Sequence, residues 1–317
     1  MLKKRLIFTL KILFTLIIFS GVGWALYKSW DKIQGIHWEP NYRLLILSGI
    51  CYAIAYLPAA LFWRYAMQTL GQQPGVYESF RAYYIGHLGK YIPGKGFVLV
   101  IRSGLLNHER TKIPAAAASV FLETMTMMAV GAFVTVAIVM FWFRQEGHRI
   151  EHESGLMLLA VGVLCGTMLP ILPPVFHFVA KKCRIELEGL RFRTLAVGWL
   201  LNIPVWIMLG TSLWLIMQGI GIQSQAVLHD IMFCTLTVST AMVFGFATPI
   251  PGGLGARELV AIHLLVPFFL AHPDMLGDNT AEAMAIVLVA VQRIISIFSE
   301  LTISAILMCK RGSCSDG

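Results

Sequence analysis

Arg257 and Glu258 stand directly behind Thr248-Pro-Ile-Pro-Gly-Gly-Leu-Gly-Ala256, a run that ends any apolar helix entering it. Pro249 and Pro251 lack a backbone N–H and clash with the preceding turn. Pro251, Gly252, Gly253 and Gly255 together form a backbone break in which the glycines permit tight geometry and close approach of another group. A helix that restarts near Ala256 presents unpaired N–H groups and the positive end of its dipole. Arg257 adds a planar guanidinium fork suited to phosphate, and Glu258 falls in the first turn, where a carboxylate suits the dipole. Oxyanion binding is the chemistry this spacing points to. The plainer alternative is a helix-breaking loop with Glu258 as a cap partner and Arg257 at headgroup level.

A second break, Gly86-His-Leu-Gly-Lys-Tyr-Ile-Pro-Gly-Lys-Gly-Phe97, carries Lys90, Lys95 and, a little further on, Arg102 around Pro93 and Gly94. Its glycines bring N–H groups forward, so it too is a candidate phosphate cradle, although the spacing of a P-loop is absent. Its bland counterpart is a basic loop lying on anionic lipid. Glu123 sits inside an apolar run, as do Arg293 and Glu300, which lie seven residues apart on one helix face. Such intramembrane charges are costly and face the interior beside a partner. Arg293 has three candidate partners: Glu123, Glu258 or a lipid phosphate. His263 is expected as a hydrogen-bonded interior histidine. His148 and His152, flanked by acidic residues, read as a solvated face, and no metal or cofactor site is expected.

The elements that must position these residues follow from composition. The 317-residue chain is 57% hydrophobic and 13% charged, with net charge +8 and mean hydropathy +0.72. Soluble domains run near a quarter charged, so a soluble enzyme, a disordered chain and a nucleic-acid reader are excluded. Apolar runs suggest spans at residues 6–26, 44–63, 114–143, 155–180, 194–218, 230–247, 258–271 and 281–308. Seventeen of the 25 Lys and Arg fall in regions that would share one side with the N-terminus. By the positive-inside rule both termini are cytoplasmic. The expected fold is an all-α polytopic membrane protein of about eight membrane segments, two of them Gly/Pro-broken re-entrant hairpins shielded by protein. Residues 1–310 form one integral membrane domain, and residues 311–317 a disordered cytoplasmic tail. Trp24, Trp30, Trp38, Trp63 and Trp142 fit interfacial anchors. The six cysteines show no metal or disulfide spacing.

The pieces Gly89-Lys-Tyr-Ile-Pro-Gly-Lys95, Glu123, Pro251-Gly-Gly-Leu-Gly-Ala-Arg-Glu258 and Arg293, in this order and spacing, resemble the lysylphosphatidylglycerol synthase transmembrane-region family, also called flippase-like or UPF0104 membrane proteins. Where the family often has Glu-Arg this chain has Glu123-Thr124, so no arginine role carries over there. The resemblance implies a multi-pass protein of the cell (inner) membrane that binds and translocates a phospholipid or other phosphate-bearing lipid. Lys90, Lys95, Arg102, Arg257 and Arg293 would engage the phosphate, and Glu123 and Glu258 would compensate their charge. The alternative is a membrane-embedded enzyme or accessory subunit in lipid-linked glycosyl or aminoacyl transfer. No catalytic motif is present, and the tail after Met308 is expected to carry no aminoacyl-transferase domain. A membrane phospholipid or lipid-linked substrate is the expected partner, with no nucleic acid. A second copy of the chain and a separate lipid-modifying enzyme are further candidate partners.

Overall fold

The computed structural model describes residues 40–92, 96–106, 112–145, 174, 181, 190–222, 226–248, 253, 255–277 and 279–309. Among them all regular structure is helical: α1 (Tyr42–Ala55), α2 (Leu57–Thr69), α3 (Val76–His87), α4 (Phe97–Gly104), α5 (Ile113–Gln145), α6 (Phe192–Gly219), α7 (Val227–Ala247), α8 (Ala256–Ala271) and α9 (Ala281–Cys309). Five stretches are long and apolar enough to cross a membrane: Tyr42–Thr69, Ile113–Trp142, Phe192–Gly219, Val227–Ala247 and Ala281–Cys309. The span expected at 6–26, that at 155–180 apart from residue 174, the tail from 311, and His148 and His152 lie outside the described residues.

Helix starts and breaks follow local chemistry. The Asn41 side chain accepts from Arg43 N (3.2 Å), capping α1. Pro58, in the first turn of α2, interrupts the α1–α2 span at Tyr56, so this one crossing is built from two helices. Trp63 is therefore well inside the bundle, fully buried. The sequence placed it at a span end as an interfacial anchor; the span continues to Thr69 and the ring belongs to the core.

Helix α6 is the hub, packing against α1, α2, α5, α7 and α9. Lipid tails are as apolar as leucine, so close backbone approach and interhelical hydrogen bonds hold such a bundle together. At the α1–α6 crossing the Ser48 and Ser212 hydroxyls meet at 2.8 Å, and each side chain also donates to the other's carbonyl or is placed to do so. Trp206 of α6 lies over Gly131 of α5 and donates its indole N–H to Met127 O at 3.2 Å. Thr135 and Ser239 join α5 to α7 at 2.8 Å.

Two antiparallel pairs flank opposite halves of α9. In the first, α3 and α4 pack together around the 3-10 turn Leu88–Tyr91. The start of α3 bonds the far end of α9: Tyr77 and Arg81 donate to Leu307 O at 3.5 and 3.3 Å. The end of α3 and its turn reach Glu300. In the second pair, α8 packs against α7 and α9, with Glu258 at its start facing Arg293 near the middle of α9. Sixteen residues make α8 about 24 Å long, short of a hydrocarbon thickness of about 30 Å. The described residues beside both breaks thus contact α9 between Arg293 and Glu300.

Candidate functional site

The break after α7 builds its site from two glycines and an arginine. Gly253 adopts φ 64° and Gly255, the residue before α8, φ 83°, both in the left-handed region where side chains are strained. A Cβ at Gly245 would lie 2.2 Å from Arg257 Cγ, and one at Gly253 2.9 Å from Arg257 Cδ. The two glycines therefore form a slot for the aliphatic stem of Arg257 and aim its guanidinium. Arg257 has no hydrogen-bond or ion-pair partner among the described residues. Glu258 accepts from Gly255 N at 2.6 Å, which is the cap role open to it from the sequence, and its other oxygen lies 3.6 Å from Arg293 Nε.

That separation is too long for a hydrogen bond. Arg293 Nε and Nη2 are buried without a hydrogen-bond partner among the described residues. Arg257, Glu258 and Arg293 line one cavity of about 30 Å³, together with Tyr52, Thr237 and Gln292. That volume holds one or two water molecules. A donor-rich, acceptor-poor cavity of this kind suits an oxyanion, because each buried guanidinium N–H left unpaired is unfavourable.

The other break closes against α9 through Glu300, 4% exposed. Its Oε1 accepts from Tyr52 OH (2.6 Å) and from Lys90 Nζ, and its Oε2 accepts from Tyr91 OH (2.9 Å). His87 Nε2 lies 3.8 Å from Oε1. Tyr91 ties the two breaks together, since its ring also lies 5.5 Å from the Arg293 guanidinium. Lys90, expected at the phosphate, is thus held by a carboxylate in this conformation.

Arg102 is in a different place from the one its spacing suggested. It is 2% exposed and donates through Nη1 to Glu123 Oε2 at 2.7 Å, while Tyr83 OH donates to Glu123 Oε1 at 2.9 Å. Its guanidinium lies 3.9 Å from the Tyr83 ring centroid and 5.3 Å from that of Trp63. A Cβ at Gly86 would meet Arg102 Cγ at 2.2 Å, so the glycine makes room for this arginine. Arg102 and Glu123 form a closed pair outside the cavity, and Arg293 takes Glu258 instead of Glu123 as its nearest carboxylate. His263, expected inside, is exposed on α8. Lys95, Pro93, Gly94, Pro251 and Gly252 lie outside the described residues.

Sequence reasoning missed Tyr52, Tyr91 and His87. The signal for them was Glu300 itself: a carboxylate in an apolar span requires donors. The rings of Tyr56 and Tyr83 flank His87 at 4.6 and 6.2 Å, joining the Glu300 and Glu123 clusters through aromatic contacts.

No curated protein and no solved structure matches the chain. The family model for the lysylphosphatidylglycerol synthase TM region matches residues 6–299. With the helical bundle, its five long apolar helices and the charged breaks described above, this makes the chain a multi-pass membrane protein that belongs to the lysylphosphatidylglycerol synthase TM-region family.

Proposed function

We propose that the chain binds the phosphate of a membrane lipid where its two helix breaks meet and carries that headgroup across the cell membrane. The observation that carries this reading is Arg257: a guanidinium unpaired among the described residues, seated in a glycine slot at the start of α8, opening on a cavity halfway along α9. Half-helix N-termini at mid-membrane that point at anionic groups are a recurrent plan for transporter sites. Arg257 and Arg293 bind the phosphate, and Glu258 holds the α8 start and offsets one cation. The α3–α4 and α7–α8 pairs act as re-entrant hairpins, each covering one half of α9.

The cavity is too small for a headgroup as it stands, so entry requires the start of α8 and the Leu88–Tyr91 turn to move apart. Lys90 and Tyr91 then exchange Glu300 for the ligand phosphate.

The test is translocation of fluorescent phospholipids in liposomes holding the purified chain. Wild type is expected to exceed empty liposomes, and the Arg257→Ala/Glu258→Ala double variant to fall to their level. Wild-type liposomes that translocate no faster than empty ones, across anionic and zwitterionic lipids, refute the reading.

A further inference from the structure

Resting on the phosphate site above, we infer that headgroup binding is coupled to the uptake of one proton by His87, which replaces Lys90 as the cation facing Glu300. The observation is a competition for one oxygen. Lys90 Nζ donates to Glu300 Oε1, and His87 Nε2 faces the same Oε1 from 3.8 Å. That is too far for a hydrogen bond, and Nε2 is buried without a hydrogen-bond partner among the described residues. A cavity of about 10 Å³ adjoins both groups, lined also by Tyr52, Tyr56, Tyr84 and Ser299. The imidazole thus needs a shift of only about 1 Å, into empty space, to bond the oxygen that Lys90 holds.

While Lys90 is in place, a second cation on His87 would meet its like charge at one oxygen, so the imidazole is neutral. When Lys90 and Tyr91 turn to a ligand phosphate, Glu300 keeps Tyr52 as its bonded donor among the described residues. An ionised carboxylate only 4% exposed is then unfavourable without a counter-charge. His87 is placed to supply one. The rings of Tyr56 and Tyr83 flank its imidazole at 4.6 and 6.2 Å, so it stays beside Glu300 when the turn after it moves.

The other titratable groups around this pair do not take that role. The hydroxyls of Tyr52, Tyr56, Tyr83, Tyr84 and Tyr91 cannot become cations. Arg102 and Glu123 are closed on each other behind Tyr83. Arg257 and Arg293 sit at the larger cavity, where the phosphate takes them. His87 therefore accepts a proton from solvent at Nε2 and donates the N–H to Oε1. When the phosphate leaves, Lys90 returns to Oε1 and the proton goes back to solvent. A phosphodiester and a proton that enter together add no net charge to the low-dielectric interior, and a proton gradient can then drive the crossing.

The experiment is calorimetric titration of short-chain phosphatidylglycerol into the detergent-purified full chain, in two buffers of different ionisation enthalpy. This lipid has no group that titrates near neutral pH, so a difference between the buffers counts protons taken up by the protein. About one proton per lipid bound is expected, with binding weakening by up to about tenfold per unit rise in pH. His87→Gln, which keeps a donor amide but takes no proton, and Glu300→Gln are each expected to bring the count close to zero. Should Glu300→Gln strand Lys90 and fail to fold, Lys90→Met/Glu300→Met removes both charges together and carries the same expectation. Lipid binding with equal heats in both buffers overturns the coupling and leaves the phosphate site standing. Uptake that survives His87→Gln overturns the role of His87, and proton release on binding overturns the inference as well. A chain that binds no lipid refutes the phosphate reading, and this inference with it.

Discussion

Replacing Glu123 with Gln tests whether the Arg102–Glu123 pair is architecture or binding surface. Both side chains are only 2–3% exposed and meet at 2.7 Å. The substitution leaves Arg102 charged, beside Tyr83 and Trp63, with its Nε already lacking a hydrogen-bond partner among the described residues. Breaking a buried pair from one side costs about 3–5 kcal/mol. The cation–π contacts, present in both forms, retain about 2 kcal/mol at most and do not offset that loss. A shift of about 3 kcal/mol is roughly a hundredfold in the folding equilibrium. Arg102→Met leaves Glu123 equally exposed to the cost. The double variant Arg102→Met/Glu123→Met removes both charges together and is expected close to wild type, since apolar replacement of a whole buried pair is near neutral or stabilising. The assay is unfolding in mixed micelles with rising dodecyl sulfate, followed by tryptophan fluorescence. A coupling energy of several kcal/mol between the two positions is expected. Additive single effects, or a Glu123→Gln cost under about 1 kcal/mol, would show that the pair does not hold the bundle and would return Arg102 to the set of ligand cations. Because neither residue lines the cavity, the double variant is also expected to keep wild-type lipid binding.

Three further outcomes follow from the same contacts. Gly86→Ala drives a methyl group into Arg102 Cγ, and the overpacking is expected to cost about 1–3 kcal/mol in the micelle assay; a change within 0.5 kcal/mol, at about the level of a surface substitution, counts against the close approach. Gly245→Ala displaces the stem of Arg257 and is expected to weaken anionic-lipid binding about tenfold, the value of one charge-assisted hydrogen bond, with unaltered binding as the refuting result. Glu300→Gln leaves Lys90 without its carboxylate and is expected to destabilise the protein by about 3–5 kcal/mol, whereas Tyr91→Phe removes one hydrogen bond and is expected to cost only about 1 kcal/mol; similar costs for the two would contradict the closure of this break through Glu300.

The positions of the breaks were legible because proline and glycine constrain the backbone wherever they stand. Gly253 and Gly255 have the positive φ their type suggests, and α8 starts at Ala256 as the restart after Gly255 implied. Helix bounds also follow closely, with Ile113–Gln145 against an expected 114–143. Partner choice was not legible. Arg102 finds Glu123 at a separation of 21 residues, and Lys90 finds Glu300 at 210, because helix rotation and hairpin docking set those pairs. An apolar run carries no periodic signal for which face turns inward, so the outward His263 and the buried Trp63 were beyond periodicity alone. The glycine slots were invisible for the same reason: Gly245 lies mid-run, and only the fold brings Arg257 against it.

Those slots bind the history of one position to that of another. A lineage that loses the guanidinium at Arg257 no longer needs bare backbone at Gly245, and one that trades Arg102 for a short side chain is free to put alanine at Gly86. The reverse order of change is disfavoured, because the methyl group must displace the arginine stem that still fills the space. Paired substitutions in that order, across diverging relatives, are the evolutionary signature this architecture should leave.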